Sequence, residues 1–462
     1  MVADGDRTMR NIAIFSDGTG ERGGQTVEEN RSNIFKLYRA ARPGPDSAID
    51  ALQQFAFYDA GIGTFSTGIG FFGAIWTWIH NAVSQATGLG LTKNIIDCYA
   101  QIIQHWRAGD RIFLFGFSRG AYTVRCVAAV LAHCGVPTHS KDGSPLKRDA
   151  ASARAIAREA VTKIYQHVGS PRDSAYTGQR EALATRFRQQ YGSELDGNAN
   201  AYPHFIGVFE TVAAVASWDS FAVVGGIGVG MVVIVFGALA LVVDHPILWT
   251  AVVVAAGILV AVGAYLKAHL KYASELPGVP FWETVHLTAL HMRFYDLRLN
   301  DNVGWARHAL AIDEHRADFD RVPWGMPGNW RKTGAGEPIW FEQIWFAGNH
   351  ADVGGGYSEP ESRLSDIALN WMANAAKSVP GGLILDTTAL HISPSATGMQ
   401  HDECRSLVFR YAKRLHREIN PKADVHGSVA ERFDLPFVLQ YDVDRPYRPD
   451  GLRLHENFAG RY

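Results

Sequence analysis

Hydrophobic residues occur along most of this chain in short runs that are separated by polar or glycine-rich turns. Strand-like runs cover residues 11–16, 111–115, 204–209 and 343–347, and helical stretches cover residues 92–107 and 147–167. Strands that alternate with helices are typical of an open, mainly parallel α/β sheet with helices on both faces. In such a sheet, reactive side chains collect at the carboxyl ends of the strands.

A long uncharged region interrupts this pattern. Residues 221–243 and 247–266 contain no Asp, Glu, Lys or Arg, and the short polar connector Asp244-His245-Pro246 separates them. At about 1.5 Å per helical residue, each run can cross the roughly 30 Å of hydrocarbon in a bilayer. The sequence therefore predicts a transmembrane helical hairpin inserted into an α/β domain. We predict a first domain part at 1–216, the hairpin insertion at 217–274 and a second domain part at 275–462.

The flanks of this region predict its orientation. Lys267 and Lys271 follow the second run, whereas the connector carries Asp244 and no Lys or Arg. Because Lys and Arg favour the cytoplasmic side of a membrane, we expect a two-span membrane protein whose catalytic domain faces the cytoplasm. A buried hairpin in a soluble core is the alternative interpretation of the same two runs.

A candidate nucleophile follows the second strand-like run, within the motif Gly116-Phe117-Ser118-Arg119-Gly120. A strand that turns sharply into a helix exposes the serine hydroxyl, and the small flanking glycines permit the close approach that this turn requires. The amide of Arg119 at the helix start would supply half of an oxyanion hole. The motif therefore predicts nucleophilic catalysis by Ser118.

Three other strand ends carry reactive groups. Asp17-Gly18-Thr19 follows the first strand, Glu210 follows the third, and His350 follows the fourth. A nucleophilic serine needs a base and an orienting carboxylate, and the order Ser118, Glu210, His350 is the one expected of α/β-hydrolases. We expect the Gly18 amide to be the second oxyanion donor. Glu210 as a helix cap or arginine partner, and His350 as a loop-stabilising residue, stay open as alternatives.

These residues lie in longer motifs: Phe15-Ser16-Asp17-Gly18-Thr19, GFSRGAY at 116–122, GVFETV at 207–212, HALAIDE at 308–314 and GNHADVGGGY at 348–357. Together they resemble a widespread α/β-hydrolase-like family of largely uncharacterised proteins that includes type VI secretion phospholipase effectors. The resemblance implies an esterase-, lipase- or phospholipase-like serine hydrolase with Ser118 as nucleophile and His350 as base. The family usually has an aspartate where this chain has Glu210. Asp17, Asp352, Asp313 and His455 are therefore reserve catalytic candidates.

Composition narrows the choice of partners. The formal net charge of -2 over 462 residues argues against a nucleic-acid binder, which would normally have a basic face. The four cysteines lack C-x-x-C spacing, so the sequence predicts neither a zinc ribbon nor a disulfide framework. We expect no cofactor, and we expect a lipid or another ester as substrate and the bilayer as partner.

Two other functions are compatible with the same residues. Asp17, His350 and Asp352 have side chains that bind divalent metal ions, which would suit a metal-dependent phosphohydrolase. A catalytically weak membrane scaffold that retains the hydrolase shell is the second alternative.

Overall fold

A computed structural model gives the fold of the chain. It describes residues 9–18, 30–61, 89–212, 232–233, 236–237, 240–273, 276–288, 299–319, 321–324, 336–405 and 413–462.

A six-stranded parallel sheet forms the centre of the described fold, with the strands in the order β10-β9-β6-β3-β1-β2. The strands in chain order are β1 Asn11–Ser16, β2 Gln54–Asp59, β3 Arg111–Phe117, β4 Glu194–Leu195, β5 Asn198–Ala199, β6 Pro203–Phe209, β7 Leu270–Lys271, β8 His286–Leu287, β9 Trp305–Ala311, β10 Phe341–Phe346, β11 Val438–Gln440 and β12 Val443–Arg445. The six short strands pair into three antiparallel ribbons: β4 with β5, β7 with β8, and β11 with β12. Since all six central strands run the same way, their carboxyl ends share one edge of the sheet.

Helices pack around this sheet. They are α1 Asn33–Ala41, α2 Leu89–His105, α3 Arg119–Cys134, α4 Ala150–Glu159, α5 Thr177–Tyr191, α6 Pro246–His269, α7 Phe281–Thr284, α8 His350–Gly354, α9 Arg363–Ser378 and α10 Gly427–Asp434. Helix α4 continues into a π-helical turn at Ala160–Ile164 and a 3-10 turn at Tyr165–His167. The predicted helix at 147–167 is therefore present with a change of helix type near its end.

Two hydrophobic cores lie on opposite faces of the sheet because successive strand side chains point to opposite sides. On one face, Ile14 and Leu114 pack with α2 and α3. On the other, Phe15 and Phe115 stack at 5.1 Å between ring centroids and pack with α1 and α9. The predicted α/β class and the mainly parallel sheet with helices on both faces are confirmed.

The predicted strands at 11–16, 111–115, 204–209 and 343–347 correspond to β1, β3, β6 and β10, with ends shifted by at most two residues. Strands β2 and β9 were not among the predicted strands. They complete the sheet at one edge and between β6 and β10.

The predicted second membrane span is a helix in the structure. It lies within α6, and residues 246–267 of α6 are long and apolar enough to cross a membrane. Only 6% of its most apolar stretch is buried in the structure. Most of the predicted first span, 221–243, lies outside the described residues, and no second candidate span occurs within them. Two spans and the cytoplasmic orientation remain predictions.

Candidate active site

Ser118 lies at the turn between β3 and α3. Its backbone has φ 56° and ψ -119°, a conformation that residues with a side chain rarely adopt. A Cβ at Gly116 would lie 2.5 Å from the Gly120 carbonyl oxygen, and one at Gly120 would lie 2.0 Å from that of Ser16. The two glycines therefore allow β3, α3 and the end of β1 to approach closely, as the G-x-S-x-G motif predicts.

Glu210 follows the neighbouring strand β6 and also has a left-handed backbone, with φ 45°. The Ser118 amide donates to the Phe209 carbonyl at 3.1 Å, and the Glu210 amide donates to the Ala309 carbonyl at 2.9 Å. These bonds extend the parallel pairing by one residue past β3 and β6. Since such strain persists only where the surrounding structure imposes it, both side chains are held at fixed places on the sheet edge.

His350 is the first residue of α8, directly after the loop that follows β10. Asn349 and Asp352 form a reciprocal capping box at the start of this helix, which fixes the position of His350. The imidazole packs against the ring of Phe117 in a tilted arrangement, with centroids 4.7 Å apart. Its Nδ1 lies 3.2 Å from Glu210 Oε2. The residue before Ser118 and the side chain of Glu210 therefore both contact His350.

The Glu210 carboxylate is fully buried and makes a bidentate ion pair with Arg417. Arg417 Nη1 lies 2.7 Å from Oε1 and Nη2 lies 2.8 Å from Oε2, while the Ala311 amide donates to Oε1 at 2.6 Å. Burial alone would raise the pKa of Glu210, but the Arg417 charge and the His350 hydrogen bond outweigh it and hold that pKa well below its usual range.

The charge state of Glu210 decides which nitrogen of His350 carries the proton. An ionised carboxylate only accepts hydrogen bonds, so Nδ1 must donate to it. In a neutral imidazole, Nε2 is then left as the acceptor, which is the tautomer that a general base needs.

The Ser118 hydroxyl makes no hydrogen bond with any other described residue. Ser118 is 9% exposed, and the residue before it, Phe117, contacts the His350 ring with 4.7 Å between ring centroids. Serine–histidine hydrogen bonds are often long in unliganded hydrolases and tighten when substrate binds.

The two predicted oxyanion donors differ in whether the structure already gives their amide a hydrogen-bond acceptor. Arg119 is the first residue of α3, and the first amides of a helix have no acceptor within the helix. Gly18 lies beside the nucleophile, since a Cβ placed on it would be 3.6 Å from Ser118 Cβ. However, the Gly18 amide donates to Asp17 Oδ1 at 2.7 Å. It can therefore bind an oxyanion only after that bond opens.

The reserve acids have other partners. Asp17 accepts hydrogen bonds from Ser32 Oγ at 2.5 Å and from Tyr58 Oη at 2.6 Å. Asp352 Oδ1 lies 2.7 Å from His401 Nδ1. Asp313 Oδ2 accepts from the Gly348 amide at 2.7 Å and from Tyr447 at 2.8 Å. Each of these carboxylates fixes a loop at the sheet edge.

His455, the reserve base, lies in the C-terminal segment. Its Nε2 is 2.8 Å from the Ala423 carbonyl, and its Nδ1 accepts from the Asn457 amide at 3.3 Å. Both ring nitrogens are thus occupied by backbone groups, and the structure brings His350, not His455, to Glu210.

No group of three or more His, Cys, Asp or Glu side chains within the described ranges could hold a metal ion. Asp17 and Asp352 direct their oxygens to Ser32, Tyr58 and His401. The metal site considered from the sequence has no geometric support in this part of the chain.

Sequence reasoning missed Arg417. It lies 207 residues after Glu210, in a segment where a short basic run, Lys413-Arg414-Leu415-His416-Arg417, gives no sign of a buried partner. Only the fold brings the two together. An arginine as the partner of Glu210 was one of the open alternatives, and the structure shows that Glu210 contacts His350 as well.

The sequence matches a family model described as "T6SS, Phospholipase effector Tle1-like, catalytic domain" over residues 10–232 and 261–375. These stretches cover more than half of the chain. The chain belongs to the Tle1-like phospholipase effector family. The Tle1-like match omits residues 233–260, within the predicted insertion, and ends before Arg417.

Individual relatives are more distant. The chain is 25% identical over 213 residues to the uncharacterized protein YEL023C of Saccharomyces cerevisiae, covering 45% of this chain and 27% of the yeast protein. An uncharacterized protein from Pseudomonas aeruginosa is similar with a TM-score of 0.35 and 19% identity, covering 84% of this chain and 48% of that one. The Tle1 effector bound to the VgrG spike of the type 6 secretion system is similar with a TM-score of 0.30 and 16% identity, covering 78% of this chain and 54% of that one. The chain spans about a quarter of the yeast protein and about half of each solved structure.

Proposed function

We propose that the protein is a membrane-anchored serine hydrolase that cleaves a carboxylic ester of a lipid through Ser118, His350 and Glu210. The observation that carries this proposal is the contact of His350 Nδ1 with the buried Glu210, beside a serine in a strained strand-to-helix turn. Membership of the Tle1-like family supports the lipid ester as substrate.

In the proposed reaction, His350 Nε2 takes the proton of Ser118 Oγ as this oxygen attacks the ester carbonyl carbon. The Arg119 amide stabilises the oxyanion, and the Gly18 amide joins it after leaving Asp17. The protonated imidazole then donates its proton to the departing alcohol, which leaves an acyl group on Ser118. Water attacks the acyl-enzyme, His350 accepts the water proton and returns a proton to Ser118, and the fatty acid departs.

Activity-based labelling tests this chemistry directly. A fluorophosphonate probe should modify the folded full-length protein at Ser118, and EDTA should change neither labelling nor phospholipid hydrolysis because the mechanism uses no metal. Mass spectrometry of the labelled peptide checks the site. Activity that disappears with EDTA while labelling is absent would support a metal-dependent phosphohydrolase. The absence of both labelling and hydrolysis would support a scaffold.

The anchoring part of the proposal rests on the exposed apolar surface of α6. Ile258, near its middle, is 58% exposed, and 24 residues at about 1.5 Å each give a helix of about 36 Å, longer than the hydrocarbon core. The gap of the family match at 233–260 agrees with an insertion that the soluble catalytic fold does not need.

A lysine in the middle of α6 should weaken anchoring. Ile258→Lys places a charge at the centre of the span, which costs about 3 kcal/mol on insertion scales. We expect part of this variant to leave the membrane fraction on carbonate extraction, where the wild type stays. Leu195→Lys is a matched control, since Leu195 is 61% exposed and lies on β4 of the catalytic domain. Equal extraction of all three proteins would argue against a membrane-embedded α6.

A further inference from the structure

The residues that directly follow α6 form a small ribbon with two different faces. Strands β7 and β8 pair Leu270 with Leu287 and Lys271 with His286. Because side chains alternate along a strand, the first pair faces away from the catalytic domain and the second pair faces it. Leu270 and Leu287 are 37% and 51% exposed, whereas Lys271 and His286 are both 9% exposed.

The inner face fixes the ribbon to the catalytic domain. Lys271 Nζ donates to the Thr162 carbonyl at 3.1 Å, and His286 Nε2 lies 2.8 Å from the His167 carbonyl. The His286 ring also stacks on Tyr176, with centroids 3.7 Å apart. The ribbon therefore has a defined orientation relative to the domain that carries Ser118.

The outer face is apolar and rich in aromatic residues. Tyr272 is 56% exposed, Phe281 50%, and Trp282 74%, and the Tyr272 and Phe281 rings meet edge to face at 5.8 Å. We call the six outward residues the hairpin patch: Leu270, Tyr272, Phe281, Trp282, Val285 and Leu287. Single exposed apolar side chains are ordinary on soluble proteins, but a continuous group of them marks a binding surface.

We propose that the hairpin patch lies in the headgroup region of the bilayer that α6 enters, so that the catalytic domain has a fixed orientation on the membrane surface. Two observations favour lipid over a protein as the occupant. The patch is continuous in sequence with the exposed apolar helix α6, which ends at His269. Its aromatic residues are of the kinds that concentrate at membrane–water interfaces, where tryptophan and tyrosine place their rings among headgroups. This inference rests on the anchoring part of the proposed function and is independent of the hydrolytic mechanism.

Spin labels at single cysteines test the patch in the full-length protein. The cysteines Cys98, Cys126, Cys134 and Cys404 are all buried, and burial raises the pKa of each thiol, which disfavours their labelling. Trp282→Cys would report on the patch. Phe437→Cys is the matched control, because Phe437 is 64% exposed and lies just before β11. Both labelled proteins are reconstituted into vesicles of phosphatidylcholine and phosphatidylglycerol, and hydrolysis of a soluble ester or thermal unfolding verifies that they fold.

The expected result is a label at 282 that collides more with oxygen than with a polar nickel complex, and a label at 437 with the opposite preference. Equal nickel accessibility at both positions, in protein that floats with the vesicles, would overturn the proposed membrane contact of the hairpin patch but would still agree with the α6 anchor. Failure of the unlabelled full chain to float would overturn both.

As a second measurement, Phe281→Ser with Trp282→Ser should lower hydrolysis of vesicle phospholipid and leave hydrolysis of the soluble ester unchanged. Equal losses on both substrates would contradict a membrane role for the patch.

Discussion

Replacement of Ser118 with alanine should lower ester hydrolysis by roughly 10⁴-fold or more, because the proposed reaction forms the acyl-enzyme on Ser118. The fold should persist, since the buried Ser118 hydroxyl has no hydrogen bond to lose within the described part of the chain. The measurement is kcat for purified full-length protein on a soluble short-chain ester and on phospholipid vesicles. Fluorophosphonate labelling should be lost in parallel.

Ser393→Ala provides the control for this result. Ser393 is an exposed serine whose amide, not its hydroxyl, donates to Asp366. Its replacement should change neither the rate nor the labelling. If Ser118→Ala retained the wild-type rate, another nucleophile would be responsible, and the proposed role of His350 would lose its basis. Thermal unfolding of both variants distinguishes loss of chemistry from loss of structure.

The nucleophile turn could be predicted because its determinants are local. A Cβ at Gly116 would meet the backbone of Gly120 and Ala121 within the turn itself, so this residue type reveals the geometry; Gly120 additionally allows the backbone of Ser16 on β1 to approach. The common edge for Ser118, Glu210 and His350 followed from one further assumption, that the strands are parallel. The structure has that arrangement.

Strands β2 and β9 could not be recognised from local pattern. β2 is an edge strand whose apolar run, Phe55-Ala56-Phe57-Tyr58, is only four residues long and half-buried, so it gives a weak strand signal. β9 contains Arg307 and His308, whose polar side chains predict surface positions although both residues are buried. Their partners, Glu342 and Gln343, lie on β10, and only sheet pairing brings them close. Buried polar groups satisfied by distant residues conceal a core strand from sequence analysis.

The surroundings of Glu210 illustrate the same limit at the site itself. The sequence gives a glutamate where the family usually has aspartate, and the longer side chain needs something to fix its position. In the structure, both carboxylate oxygens are held by Arg417, and one of them also contacts His350. We therefore expect the role of Glu210 to depend on a residue beyond the region that the family match covers.

Arg417→Met should lower kcat about 100-fold, because an acid displaced by an ångström leaves the histidine poorly oriented. It should also change the pH profile. Glu210 is fully buried, and burial raises its pKa unless a positive charge opposes it. Without the guanidinium, the carboxyl stays protonated to higher pH, so activity is lost earlier as the pH falls. The acidic limb of the kcat profile therefore moves to higher pH. Arg417→Lys retains the charge without the bidentate contact. Its kcat and its acidic limb should therefore lie between those of the wild type and Arg417→Met.

The free energy of unfolding should depend on pH in the same direction as activity does. A carboxylate whose pKa is depressed by folding stabilises the protein above its unfolded pKa, about 4.3 for glutamate, and this contribution is lost as the pH falls through the folded value. Removal of one partner of such a buried pair costs about 3–5 kcal/mol at neutral pH. Arg432→Met is the matched control: Arg432 is also buried in the C-terminal segment but donates to the Ala396 and Gly398 carbonyls. It should lower the melting temperature without moving the acidic limb. If Arg417→Met behaved in the same way, Arg417 would be structural only, because a residue that holds Glu210 ionised must affect the pH at which activity is lost.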